Sequence, residues 1–226
     1  MSVGTRTDGK RGANGRNGRS GPAMRRRGEP TWEAARVFPR QGEWTEEEYL
    51  DFDSNYGPQL VELVDGFLEF LPVPDMVHQR VVRYVLFRLQ DYSDRTNDGE
   101  ALMAPCPVRM WAEHLREPDV FFVRAHRIKD RRRPPEGVDV AMEVPSPGKK
   151  NRSRDFVEKR RVYAKAKIPE YWIIDPETET ITVLTLSSKS YKRHGRYKAG
   201  QQAASKLLSG FSLDVAAVFA AGAGKR

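Results

Sequence analysis

The chain has 226 residues and a formal net charge of +8, from 39 Lys and Arg against 31 Asp and Glu, and its length allows one ordinary domain with an extension. Its single cysteine, Cys106, excludes an internal disulfide framework and a cysteine-rich zinc site. Because no apolar run approaches the roughly 20 residues of a membrane span and the N-terminus lacks a signal-peptide core, we expect a cytoplasmic protein with no membrane partner.

The excess positive charge is concentrated in residues 1–30. This segment has eight Lys or Arg against Asp8 and Glu29, a net charge of +6, which leaves +2 for residues 31–226. It is rich in Gly, Arg, Asn and Ser and poor in large apolar side chains, so we predict a disordered basic tail followed by a single domain with its core at about 44–220. The tail either adds salt-sensitive affinity for phosphate backbones or serves as a solubilising leader, and both interpretations stay open.

The first predicted elements of the domain are a short helix and a hairpin. Thr45 precedes three glutamates, which is typical of a helix N-terminus and predicts a helix to about Phe52. Asp65-Gly66 separates two apolar runs within residues 60–71, which is a strong hairpin signal. Glu62 alternates with apolar residues in the first arm, and from that pattern alone a solvent-facing position is the favoured interpretation.

A longer helix is predicted from about Met76 to Arg95, because apolar residues recur there every four positions. His78 lies in its first turn, where a lone histidine is more often a capping or packing residue than a ligand. Residues 100–110 then predict one strand with an irregular middle, because two prolines interrupt it.

Two short apolar segments each carry a carboxylate where a half-buried strand favours Val or Ile. Asp119 precedes the run VFFV, and Glu143 lies near the end of a predicted strand over residues 138–144. In that strand the alternation puts Asp139 and Glu143 on one face, which is either the floor of a polar site or the outer face of a surface strand. The arginine-rich loop at 126–137 is typical of a solvated loop, but beside a metal site it would contact backbone phosphates.

A helix from Ser153 or Asp155 to about Lys167 is predicted next. Asp155 and Lys159 are four residues apart, the spacing of an ordinary surface ion pair, and Tyr163 falls on the same side. Spacing alone therefore favours a solvated face. The remaining pattern predicts strands at 170–174, 180–186 and 191–197 and a C-terminal helix over about 213–220.

Carboxylates on neighbouring strands with a nearby lysine are what metal-dependent phosphodiester hydrolysis requires. The metal polarises the phosphate and generates a hydroxide, and positive charge stabilises the transition state. Magnesium prefers oxygen ligands and retains several waters, so few protein ligands are needed. Asp119, Glu143, the Val144 carbonyl and the more distant Glu62 are the candidate ligands for Mg²⁺ or Mn²⁺, with Lys159 assisting the attacking water.

Residues from about Trp44 to Phe219 resemble the Uma family of predicted restriction endonucleases, within the PD-(D/E)xK nuclease superfamily. The specific matches are EPDVFFV and the long stretch AMEVPSPGKKNRSRDFVEKRRVYAKAKIPEYWIIDP, and the hairpin and the closing LSGFSLDVAAVF match more weakly. The resemblance implies an α/β (α+β) fold with a restriction-endonuclease-like core, in which a mixed β-sheet is flanked by helices. It also implies a divalent metal and double-stranded DNA as the substrate.

The resemblance assigns the superfamily motif to particular residues. The proline-aspartate pair falls on Pro118-Asp119, the following carboxylate on Glu143, and the early acidic residue on Glu62. His78 and Tyr163 also match family positions, without a definite chemical role.

One motif position departs from the family pattern. Pro145 stands where the (D/E)xK motif has its lysine. A lysine on the next helix would occupy the same space, and Lys159 is the candidate for that role, although Lys149 and Lys150 lie nearer in sequence.

The leading hypothesis is a magnesium-dependent endonuclease acting on DNA, with Asp119, Glu143, Lys159 and Glu62 as its catalytic residues. A homodimer would suit double-strand cleavage. The alternative is a catalytically weak or inactive nuclease-like protein that binds nucleic acid, and a third interpretation is an assembly or regulatory domain that retains the fold.

Overall fold

A computed structural model of the protein describes residues 38–56 and 60–224. The predicted basic tail, residues 1–30, lies outside the described residues. Residues from Pro39 onward belong to one compact unit. Within the part that is described, no helix is both long enough and apolar enough to cross a membrane.

The elements of the first half, in chain order, are α1 (Glu46–Tyr56), β1 (Val61–Val64), β2 (Phe67–Phe70), α2 (Met76–Thr96), β3 (Gly99–Met103), β4 (Val108–Trp111), β5 (His114–Arg116) and β6 (Val120–Arg124). A single 3₁₀ turn, Ala125–Arg127, follows β6. The second half contains β7 (Val140–Glu143), α3 (Lys149–Ser153), a π-helical turn (Arg154–Glu158), α4 (Lys159–Lys165), β8 (Glu170–Asp175), β9 (Thr180–Ser187), β10 (Ser190–Tyr197), β11 (Gln202–Ala204), β12 (Ser212–Asp214) and α5 (Val215–Gly222).

A six-stranded mixed sheet forms the centre of the fold. Its strand order is β10-β9-β8-β7-β6-β3, and only the β7–β8 pair is parallel. The helical segment between β7 and β8 is the crossover that a parallel pair requires. The predicted fold class, a mixed sheet flanked by helices, is therefore confirmed.

Helices cover both faces of this sheet. On one face, Val85 of α2 and Val218 of α5 belong to the same apolar cluster as Trp172 of β8. On the other face, Tyr163 of α4 packs in a second cluster with Ile173. A strand that is buried on both faces of a sheet contains a continuous run of apolar residues. This explains the run YWII within the sequence EYWIID of β8.

A second sheet has four strands in the order β2-β1-β5-β4, and all of its strand pairs are antiparallel. The predicted β1–β2 hairpin is confirmed. Its turn residues Asp65 and Gly66 have φ of 49° and 83°, which are the positive values that a tight hairpin turn needs. This sheet carries Glu62 on β1, which contacts Lys159, and Arg116 on β5, which contacts Glu62.

The structure corrects several of the predicted elements. The single strand predicted over residues 100–110 is two strands, β3 and β4, which pair in different sheets, because the intervening prolines cannot continue a ladder. The helix expected from Ser153 or Asp155 begins at Lys149. The short strand β5 was not predicted, because a three-residue pattern is too short to show periodicity.

Candidate active site

The two carboxylates that were predicted to bind metal lie at the same end of two neighbouring strands of the central sheet. Strands β6 and β7 are antiparallel, with Val120 opposite Met142, so the residue before β6 lies beside the residue that ends β7. Those residues are Asp119 and Glu143. Both line a cavity of about 130 Å³ whose wall also includes residues from the start of α2 and from the π-helical turn.

Asp119 is held by donors on two sides. The Val144 backbone N–H donates to its Oδ2 at 2.7 Å, and His78 Nε2 lies 3.2 Å from the same oxygen. His78 is positioned because the α2 N-cap, Asp75, accepts a hydrogen bond from its backbone N–H at 2.8 Å. Burial alone would raise the pKa of Asp119, but His78, Lys159 and the Val144 N–H lower it. Its Oδ1 has no hydrogen-bond partner among the described residues.

Glu143 is almost completely buried and has two donors. Lys159 Nζ lies 2.8 Å from its Oε2, and the Tyr163 hydroxyl donates to its Oε1 at 2.5 Å. Burial raises the pKa of Glu143 well above its usual value, and the nearby Asp119 and Asp155 act in the same direction against Lys159. The alternative of an exposed surface strand is wrong, because all four residues of β7 are buried.

Lys159 is a buried ammonium surrounded by carboxylates. Besides Glu143, its Nζ lies 3.7 Å from Glu62 Oε1 and 3.8 Å from Asp155 Oδ1. Burial alone would lower the pKa of Lys159, but these carboxylates and Asp119 outweigh it and raise the pKa. The lysine is therefore protonated at neutral pH, so it acts as a donor and a positive charge rather than as a base.

Glu62 is fully buried, so its interpretation as a solvent-facing residue is wrong. Its Oε2 accepts a hydrogen bond from Arg116 Nη1 at 2.6 Å, and its Oε1 accepts one from the Glu117 backbone N–H at 2.9 Å. Burial would raise the pKa of Glu62, but Lys159 and Arg116 lower it. Glu62 does not line the cavity, and it reaches the site through Lys159.

The π-helical turn contributes two site residues that sequence reasoning missed as functional groups. Asp155 is only 2% exposed, and its Oδ1 has no hydrogen-bond partner in the described structure. Arg154 Nε lies 3.5 Å from that oxygen. Tyr171 stabilises the turn by donating to the Asp155 carbonyl at 2.8 Å. Turns of this kind occur frequently at functional sites, but the four-residue spacing of Asp155 and Lys159 had suggested a surface pair, because spacing carries no information on burial.

Two other candidates, Lys149 and Asp139, do not line the cavity. Lys149 is exposed and does not line it, and the side chain of Lys150 lies outside the described part of the chain. Asp139 accepts a hydrogen bond from the Arg124 backbone N–H at 2.8 Å and pairs with Arg127 at 3.3 Å, at the opposite end of β7. The proposed site floor made by Asp139 with Glu143 is therefore wrong.

The arginine-rich loop is partly neutralised by its own surroundings. Lys129 pairs with Glu136 at 3.0 Å and Arg131 with Glu100 at 2.6 Å, while Arg132 and Arg133 are exposed. None of these residues lines the cavity that contains Asp119. The loop thus matches the prediction of a solvated segment.

The donor set of the cavity fits a hard divalent cation. Its wall carries four carboxyl groups against the two permanently charged side chains Arg154 and Lys159. The buried Oδ1 of Asp155 has no hydrogen-bond partner in the described structure, and magnesium prefers such oxygen ligands. As the side chains stand, no three His, Cys, Asp or Glu residues of the described chain form a metal-binding cluster, and the Lys159 ammonium lies among the carboxylates.

Comparison with known proteins adds two matches. A family model described as "Uma2: Putative restriction endonuclease" matches residues 46–216. The fold is similar to a crystal structure described as a putative nuclease belonging to DUF820 from Anabaena variabilis ATCC 29413, with 15% sequence identity, a TM-score of 0.62, and coverage of 79% of this chain and 99% of that chain. At this identity the similarity shows the fold alone. None of the curated proteins gives a significant match.

Proposed function

The chain belongs to the Uma2 family, whose members are described as putative restriction endonucleases, and from this premise we propose that it is a metal-dependent endonuclease that hydrolyses phosphodiester bonds in double-stranded DNA. The observation that carries the proposal is the position of Asp119 beside the buried Glu143 at the same end of two neighbouring strands, with the Lys159 ammonium 2.8 Å from Glu143. A carboxylate pair with a fixed cation is the arrangement that phosphodiester hydrolysis requires.

Asp119, Glu143 and the Val144 carbonyl are the proposed metal ligands, with Mg²⁺ as the preferred ion and Mn²⁺ as a substitute. When bound, the ion would polarise the scissile phosphate and activate the attacking water. His78 and the Val144 N–H hold Asp119, so one of its oxygens is fixed while the other stays available. Tyr163 holds Glu143 through Oε1, and Lys159 contacts its Oε2.

The remaining site residues supply charge and orientation. Because Lys159 is protonated, it donates a hydrogen bond to the attacking water or to a phosphate oxygen and offsets negative charge in the transition state. Both oxygens of Glu62 are already bonded to Arg116 and to the Glu117 N–H. We therefore assign Glu62 mainly to holding Lys159 in place.

The test is nicking of supercoiled plasmid by the full chain with Mg²⁺, with Mn²⁺ or with a chelator. The Glu143→Gln variant keeps the side-chain shape but removes the charge, and we expect it to lower the metal-dependent rate at least about 100-fold. Glu47→Gln is the matched control, because Glu47 is exposed on α1, far in sequence from every residue of the cavity. Thermal unfolding of all three proteins, with and without Mg²⁺, establishes that they are folded and reports metal binding.

Equal nicking by wild type and Glu143→Gln would contradict the proposed site. A wild-type protein that binds the plasmid without nicking it would favour the alternative of an inactive nucleic-acid-binding protein. A protein that neither binds DNA nor shifts its unfolding temperature with Mg²⁺ would favour an assembly or regulatory domain.

A further inference from the structure

The wall of the cavity contains an arginine, Arg154, whose buried Nε has no hydrogen-bond partner in the described structure. Arg154 lines the cavity together with Asp119, Glu143 and Lys159, and its side chain is only 18% exposed. Its Nε is buried and has no hydrogen-bond partner in the described structure, and its sole ion pair there is the 3.5 Å contact with Asp155. A largely buried guanidinium normally has its donors satisfied, so this one requires an explanation.

Two other partly buried arginines, Arg116 and Arg152, donate hydrogen bonds to carboxylates. Arg116 donates to Glu62 at 2.6 Å and to Glu69 at 3.0 Å. Arg152, two residues before Arg154, binds Asp175 through both terminal nitrogens at 2.7 Å. These two arginines have structural partners, whereas Arg154 has donors available for a ligand in the cavity.

The chemistry of the cavity indicates which ligand this is. The other fixed cation, Lys159, contacts Glu143 at 2.8 Å, whereas the Nε of Arg154 has no hydrogen-bond partner in the described structure. A guanidinium presents a planar fork of N–H groups that matches two oxygens of a phosphate. Asp155 lies beside the fork without saturating it and restricts the orientation of Arg154.

We propose that Arg154 binds a backbone phosphate of the nucleic acid at the cavity, next to the phosphate that is cleaved. This inference rests on the proposed function and adds a substrate-binding residue to it. The contact is independent of base sequence, because it is made to phosphate alone. Its loss therefore weakens binding to all sequences alike and removes one phosphate contact from the salt dependence.

Binding of two fluorescein-labelled 20-base-pair DNA duplexes of unrelated sequence to the full chain tests the proposal. Fluorescence anisotropy is measured with chelator present, so that no cleavage occurs, over a series of KCl concentrations. We expect Arg154→Gln to weaken binding to both duplexes roughly tenfold and to lower the slope of log affinity against log salt by about 0.9. Arg193→Gln is the matched control, since Arg193 is exposed on β10 and lines no cavity described above.

Arg154→Lys is the second variant, and it keeps the positive charge while losing the fork. We expect it to keep the wild-type salt slope and to bind about threefold more weakly, which a purely structural role for Arg154 would not produce. Thermal unfolding of each variant accompanies the binding data, and if Arg154→Gln is unfolded, the test rests on the lysine variant.

The outcomes separate the two proposals. A wild-type protein that binds neither duplex overturns the proposed function and this inference together. A wild-type protein that binds both, with Arg154→Gln and Arg154→Lys matching it in affinity and slope, overturns the inference alone.

Discussion

At the scale of single residues, the charge balance of the site depends on Lys159. Its side chain is 3% exposed, and its ammonium lies within 4 Å of three carboxylates, those of Glu62, Glu143 and Asp155. Removing one member of such a buried network leaves the other charges without compensation. The same carboxylates that stabilise the lysine are therefore the groups that a divalent ion would neutralise.

The Lys159→Met variant distinguishes the positive charge of the lysine from that of a bound divalent ion. We expect it to lower the free energy of unfolding by about 3–5 kcal/mol without metal, because the carboxylates lose their counter-ion. Added Mg²⁺ should stabilise this variant more than it stabilises wild type, and urea denaturation with and without Mg²⁺ measures both effects. Lys192→Met, on the exposed face of β10, is the control and should change neither quantity. An equal Mg²⁺ effect on the wild type and Lys159→Met would contradict this account.

At the scale of elements, the β1–β5 pairing is held by a histidine that must be neutral. Arg116 Nε donates to His114 Nε2 at 3.3 Å, and His114 Nδ1 lies 2.9 Å from Asp65 Oδ1. Nε2 is therefore the acceptor and Nδ1 carries the proton. Burial lowers the pKa of His114, the Arg116 charge adds to this, and Asp65 and Glu62 oppose it. Arg116 also positions Glu62, so this pairing supports the site.

This arrangement predicts a loss of stability in mild acid. Because the folded-state pKa is below the unfolded value of about 6.5, the unfolded chain binds more protons as the pH falls. The contribution of neutral His114 is complete above that pH and is lost as the pH falls towards the folded-state pKa. In His114→Gln the free energy of unfolding should change less with pH between about 7 and 5 than it does in wild type. The difference between the two slopes corresponds to the binding of up to one proton per molecule on unfolding. The exposed His194→Gln serves as control in urea denaturation, and equal slopes in both variants would refute the prediction.

At the scale of the whole molecule, Glu170 connects the central sheet to the C-terminal segment. This fully buried carboxylate on β8 accepts hydrogen bonds from Trp172 Nε1 and Ser205 Oγ, at 2.7 and 2.6 Å. It also accepts the backbone N–H groups of Lys206 and Leu207, at 2.8 and 3.0 Å. The segment that leads to β12 and α5 is thus fixed to β8. This strand pairs with β7, which ends at Glu143.

Removing this connection should destabilise the protein as a whole. Glu170→Ala leaves four donors without their acceptor in the interior, and we expect a loss of about 3–5 kcal/mol in the free energy of unfolding. Glu170→Gln keeps one acceptor oxygen and should cost less. Urea denaturation followed by tryptophan fluorescence measures both variants, and an alanine variant within 1 kcal/mol of wild type (about the size of one ordinary hydrogen bond) would contradict the prediction.

The basic segment at residues 1–30 is the other feature at this scale, and we propose that it adds electrostatic affinity for DNA. Its net charge of +6 comes from the sequence. We expect residues 31–226, once shown to be folded, to bind a DNA duplex more weakly than the full chain and with a smaller salt slope. Unchanged affinity and slope after deletion would instead support the interpretation as a solubilising leader.

Local sequence patterns determined much of this fold. The Asp65-Gly66 turn, the periodicity of α2 and the apolar runs of β6, β7 and β8 each depend on neighbours in the chain, and each prediction is confirmed. The same patterns singled out Asp119 and Glu143, because burying a carboxylate in an apolar segment costs free energy unless the carboxylate is paired or binds a metal.

Only the tertiary structure decided which charged residues are buried together. Asp139 and Glu143 share one face in the alternating pattern, yet Asp139 pairs with Arg127 and only Glu143 reaches the cavity. Asp155 and Lys159 have the spacing of a surface pair, yet both are buried. Periodicity specifies the direction of a side chain relative to its own helix or strand. Which distant elements cover that side depends on long-range packing, and this alone brought Glu62, Arg154 and Lys159 to the same end of the sheet.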